Sequence, residues 1–170
     1  MPNDAQDDEF EVGPKPAAPR PGLSLKARAV GLLSRREHSR AELERKLAPH
    51  AESAEALAKV LDELAQAGWQ SDVRFVQGWV HRKAPAHGLA RISQDLRLQG
   101  VGSEEIAKVQ AELKNSEFER AKAVWSKKFS QRETPLSTSE YAKQGRFLAS
   151  RGFSMDIIHR VLKGTSDHES

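Results

Sequence analysis

Cysteine is absent from the chain, which removes disulfides, thiolate metal sites and cysteine nucleophiles together. That suits a reducing compartment, and the cytoplasm is the expected location. Aromatic side chains are scarce: one tyrosine, six phenylalanines and three tryptophans in 170 residues offer little bulk for a single large core. Nowhere do about 18 apolar residues run consecutively, the length that spans a bilayer, so no membrane crossing is expected. The chain opens with Asp4, Asp7, Asp8, Glu9 and Glu11 where an export signal would carry positive charge ahead of an apolar run. No segment alternates convincingly with a period of two, which argues against a sheet.

Proline is unevenly placed. Five of the eight (Pro2, Pro14, Pro16, Pro19, Pro21) lie in residues 1–22, where hydrophobic residues are few, and the segment is expected to be disordered. From Leu23 onward the apolar spacing is helical, as in Leu25, Ala29, Leu32, Leu33 and in Leu57, Val60, Leu61, Leu64. The chain is expected to be all-α.

Three similar units follow one another, as expected when short helices that cannot bury a face alone are stacked as repeats. Each predicts three helices: repeat 1 over 23–72, repeat 2 over 73–114 and repeat 3 over 115–164, with a disordered tail over 165–170. Local signals mark the boundaries. Ser39 with Glu42 and Ser137 with Glu140 have capping-box spacing. Gly100-Val101 and Gly152-Phe153 read as left-handed helix stops, Gly68-Trp69 plays a similar role, and Ser53, Ser103 and Ser154 are expected to cap the helices that follow.

Catalytic patterns are missing. The six histidines show no metal-binding spacing, and the cluster Gly100-Val101-Gly102-Ser103 lacks the lysine and hydroxyl of a phosphate loop. No metal, cofactor or enzymatic activity is expected. The aromatics Trp69, Phe75, Trp79, Phe118, Trp125 and Phe129 could stack bases, but their helical spacing favours core packing between modules. Glu55 with Lys59, Lys59 with Glu63, and Glu104 with Lys108 are spaced as surface pairs.

The formal charge of +3 conceals a division: residues 1–22 carry −3, the tail −2 and residues 23–164 carry +8. Lysine and arginine on a helical protein most often form only its solvated face. Here repeats 2 and 3 hold +3 and +5, and residues 26–46 carry seven bases against three acids, a distribution suited to a polyanion or an acidic protein surface. Within repeat 3, Lys127-Lys128 with Arg132, and Lys143 with Arg146 and Arg151, form clusters that could meet phosphates or carboxylates.

The run Arg36-Glu37-His38-Ser39-Arg40-Ala41-Glu42-Leu43-Glu44-Arg45-Lys46-Leu47, then Gly68-Trp69 with Asp72, Arg74 and Phe75, then Gly88, Arg91-Ile92, Asp95-Leu96 and Gly100-Val101, resembles the RecX family over residues 23–164. Gln99 stands where the family often has lysine, and Val76 where alanine is common. The resemblance implies tandem three-helix modules in an elongated, curved arrangement that lies in the groove of the RecA filament. It also implies a non-catalytic monomer that limits RecA's DNA-dependent ATP hydrolysis, strand exchange and stimulated repressor cleavage. The partner expected is the RecA filament, with single- or double-stranded DNA as a direct contact. Candidate contacts to RecA or DNA are Arg36, Arg40, Arg45, Lys46, Arg82, Lys83, Arg91, Arg97, Lys127, Lys128, Arg132, Lys143, Arg146 and Arg151. Two alternatives stay open: an autonomous DNA-binding protein and a helical adaptor for an acidic protein.

Overall fold

A computed structural model describes residues 22–129 and 136–164; the segment 1–21, the tail 165–170 and Arg132 lie outside the described residues. Among those described there are nine α-helices and no strand. The first unit comprises α1 (Leu25–Leu33), α2 (Arg40–Leu47) and α3 (Ala54–Gln66), the second α4 (Asp72–Lys83), α5 (Leu89–Leu98) and α6 (Ser103–Lys114), and the third α7 (Glu117–Phe129), α8 (Thr138–Ser150) and α9 (Met155–Gly164).

Each unit closes over its own core, because helices of eight to thirteen residues expose too much apolar surface unless three of them share it. The first core is Ala29, Leu43, Leu47, Leu57, Leu61 and Leu64. The second gathers Phe75, Val76, Ile92, Leu96, Val101, Ile106 and Val109, and the third Ala121, Leu148, Phe153, Ile157, Ile158, Val161 and Leu162. Phe75 packs in a core as expected, but within unit two rather than between modules, with Trp79 tilted against it at 5.7 Å, while Trp125 donates its indole N–H to Gln144 at 2.6 Å. Trp69 departs from the expectation: it is half exposed. The turn at Gly68 binds the Trp69 amide to the Leu64 carbonyl, and Arg74 takes the Trp69 carbonyl, which fixes its backbone at the surface.

The helix stops form as expected: Gly100 and Gly152 adopt φ of +75° and +86°, and the amides of Val101 and Phe153 return to the carbonyls of Leu96 and Leu148. Ser53, Ser137 and Ser154 each accept from an amide in the first turn that follows. Ser103 does not cap. It is the first residue of α6, with Gly102 before it, and Glu104 and Glu105 supply the favourable charge in that first turn instead.

Polar staples join neighbouring units. Between the first and second, the buried Ser39 hydroxyl accepts the Glu42 amide and donates to the Gln99 carbonyl at 2.7 Å. Asp72 accepts from both the Arg40 amide and the Gln70 side chain at 2.8 Å, and Arg74 donates to Glu37 at 2.7 Å. Between the second and third, the Gly88 amide donates to the Arg151 carbonyl at 2.9 Å and the Ala90 amide to the Gly152 carbonyl at 3.2 Å. The Glu117 carboxylate accepts the Leu89 amide, so unit three satisfies free amides at the start of α5. Arg120 completes the joint by donating to the carbonyls of Ala84, His87 and Leu113. Burial pushes this guanidinium down, with Glu117 opposing, yet an arginine retains its charge.

Candidate polyanion-binding site

The joint between units two and three creates a groove. After α4 the chain makes a 3-10 turn, Ala84–Ala86, whose Pro85 and Ala86 face α7 and α8. With Ala123, Val124, Lys127, Lys128, Phe147 and Arg151 they line a groove of about 560 Å³. Among the described residues no carboxylate lines it. The Lys128 Nζ lies 4.2 Å over the Phe147 ring and the Arg151 guanidinium 5.2 Å over it, while Phe129 meets Phe147 edge-to-face at 5.3 Å. An aromatic face attracts a cation through its quadrupole without cancelling its charge. Phe147 therefore holds two cations beside one groove while their N–H donors stay available. Among the described residues none makes an ion pair with Lys127, Lys128 or Arg151. Such a site is suited to phosphates or carboxylates, which accept charge-assisted bonds.

The other candidate cations fall into two groups. Arg36 donates both terminal nitrogens to the Glu42 carboxylate, Arg40 pairs with Asp62 at 2.7 Å, Arg91 with Asp95 at 3.2 Å and Lys143 with Glu140 at 3.9 Å. An incoming anion would compete with those carboxylates. Arg45, Arg82, Arg97 and Arg146 are exposed, and Lys83 lies 5.5 Å over Trp79. Lys143 and Arg146, which share a helix face with each other, do not line the groove. Lys46 belongs to a second basic groove, on unit one, with Arg28 and Arg35, two of the seven bases in residues 26–46 that were not among the candidate contacts. Of the expected surface pairs Lys108 forms its own, with Glu104 at 3.9 Å and more closely with Glu105 at 2.8 Å, whereas Glu63 pairs with Lys26.

Arg36 and Glu42 also alter the expected capping box. The Ser39 half forms, but the Glu42 carboxylate turns to Arg36, with His38 Nε2 at 3.9 Å. Burial pushes the Glu42 carboxyl up, but the bond from Arg36 and the positive field of His38, Arg36 and Lys46 outweigh it and hold the group below the ordinary carboxylate range. A folded value below the unfolded one means that this stabilisation is fully present above roughly pH 4.3 and is lost as pH falls through the folded value. Glu42→Gln is expected to cost about 1.5–3 kcal/mol at neutral pH, since it weakens a charged hydrogen bond in a buried place. The gap between the two proteins should close on acidification. Urea unfolding at neutral and acid pH checks this, and a gap independent of pH would contradict it.

Among the described residues no cluster of three or more histidines, aspartates or glutamates could hold a metal, and no helix is long and apolar enough to cross a membrane. Three small cores in series, joined by polar staples and presenting cation-lined grooves, define a protein of tandem three-helix modules. The family models described as the first and third three-helix domains of RecX match residues 26–64 and 115–162. A regulatory protein RecX from Ralstonia nicotianae is 49 % identical over 148 residues, covering 87 % of this chain and 92 % of that protein. One from Neisseria gonorrhoeae is 44 % identical, covering 87 % and 95 %. The crystal structure of RecX from Lactobacillus salivarius shares the fold at 18 % identity, with a TM-score of 0.69 over 82 % of this chain and 93 % of that one. The chain belongs to the RecX family of regulatory proteins.

Proposed function

We propose that this protein is a non-catalytic regulator of RecA, acting in the cytoplasm as a monomer that docks on the RecA–DNA filament. In this reading it lowers RecA's ATP hydrolysis, strand exchange and stimulated repressor cleavage. The observation that carries the proposal is the groove between units two and three, where Lys127, Lys128 and Arg151 converge and, among the described residues, no carboxylate lines the groove. A filament made of protein and nucleic acid offers phosphates at regular spacing, and each phosphate met by a cation releases condensed counterions, which favours association. The family name of the relatives supports the regulatory role.

The test is RecA's DNA-dependent ATPase followed as this protein is added in substoichiometric amounts. Hydrolysis should fall, and the protein alone should hydrolyse nothing. An unchanged RecA rate at saturation would overturn the proposal, and equal affinity for bare and RecA-coated DNA would favour an autonomous DNA-binding protein.

A further inference from the structure

The basic groove of unit one has no role in the reading above. It lies between α1 and the end of α2, has a volume of about 350 Å³, and carries Arg28, Arg35, Lys46 and His50 around an apolar lining of Leu23, Leu32 and Leu47. Among the described residues no carboxylate lines it, and none of the three strong cations makes an ion pair. Leu23, at the point where the described chain begins, is 68 % exposed although it borders the groove. An occupant must therefore be anionic and also bring apolar side chains.

This chain contains such an occupant. Asp4, Asp7, Asp8, Glu9 and Glu11 surround Phe10 and precede Val12, the densest run of acid in the sequence. We propose that residues 4–12 dock in the unit-one groove, with the carboxylates meeting Arg28, Arg35 and Lys46 and with Phe10 against the apolar lining. Reach is sufficient: the twelve steps from Glu11 to Leu23 span at most ~40 Å at 3.3–3.6 Å per residue, while a helix with its side chains is ~10 Å across. Tethering makes the encounter intramolecular, with an effective concentration of order millimolar, so individually weak ion pairs suffice. Opposite charges this close are also a self-contained competitor for any polyanion approaching unit one. If the chain binds a RecA–DNA filament as proposed above, the filament must displace this segment to use Arg28, Arg35 and Lys46, and the segment sets the affinity and its response to salt. That consequence rests on the filament reading; the contact itself does not.

The experiment compares the full-length wild type with the full-length D7N/D8N/E9Q/E11Q protein in the absence of RecA and DNA, using backbone amide NMR signals. The signals of Arg28, Leu32, Leu47 and His50 should differ between the two at low salt, and the difference should collapse near ~1 M NaCl, where the screening length is about 3 Å. Differences confined to residues 1–21 would overturn the proposal. So would differences that grow with protein concentration, since the groove would then hold a second copy. As a second readout, the neutralised protein should bind an oligothymidylate of about twenty nucleotides roughly three- to tenfold more tightly at low salt. Equal affinities together with unchanged groove signals would mean that the groove takes the oligonucleotide without competition from this segment, which would also overturn it. A failed RecA ATPase test would leave the NMR result standing, so the two proposals fail separately.

Discussion

Replacing Lys127, Lys128 and Arg151 together by glutamate is expected to weaken binding to RecA-coated DNA by roughly 100- to 1,000-fold near physiological salt, with a smaller salt dependence. The three cations share one groove, and none is already committed to a carboxylate among the described residues. Loss of three phosphate contacts on single-stranded DNA should reduce the slope of log K against log salt by about two, at ~0.7 per contact. Reversal also sets like charges against the phosphates. The matched control is Lys59, Lys108 and Lys114 changed to glutamate. Its change in net charge is the same, but Lys108 is held by Glu104 and Glu105, and none of the three borders the groove. Fluorescence anisotropy over a salt series, after circular dichroism has shown both variants folded, separates the cases. Equal losses would show that net charge drives binding rather than a placed surface.

Replacing Gly152 by alanine is expected to cost about 2–5 kcal/mol and to loosen unit three from unit two. Two effects combine there. The backbone has φ +86°, where a side chain costs about 1–2 kcal/mol, and a Cβ would lie 2.4 Å from the Arg91 Cβ and 2.5 Å from its backbone nitrogen, overpacking worth about 1–3 kcal/mol. Gly68→Ala isolates the first effect, because Gly68 has φ +77° and a Cβ there would meet nothing within 4 Å. Gly88→Ala isolates the second. Its φ is −81°, but its Cβ would meet the Gly152 carbonyl oxygen at 2.2 Å. Denaturant unfolding of the three variants should rank Gly68→Ala as mildest, and limited proteolysis of Gly152→Ala should release unit three first. The groove should weaken in the same variant, since Pro85 and Ala86 come from one side of the joint and Phe147 and Arg151 from the other. A Gly152→Ala protein no less stable than Gly68→Ala would mean that the joint yields at little cost.

The residues that form helices, and the places where those helices stop, were legible in the sequence. Leu57, Leu61 and Leu64 repeat at the helical period, Ser53 and Ser154 stand where free amides need an acceptor, and Gly100 and Gly152 stand where the chain must turn left-handed. These features depend on neighbours three to six residues away, so order along the chain is enough to read them. The limit shows at Ser103, where a shift of one residue put the cap position on Gly102 and made Ser103 the first helical residue, and at Glu42, whose carboxylate chose Arg36 over the local amide.

What only the tertiary structure decided is which charges remain available. Arg36, Arg40 and Arg91 read in the sequence like Lys127 and Arg151, yet the first three face carboxylates and the last two face Phe147 or open groove. Arg120 carried no local mark, but it joins two units through carbonyls up to 36 residues away. Gly88 showed no need for glycine until the Gly152 carbonyl was brought against it. Helix periods and caps are set by covalent distance along the chain. Neutralisation of a charge and steric contact between units depend on distance through space, which this sequence settles only once its three cores have packed.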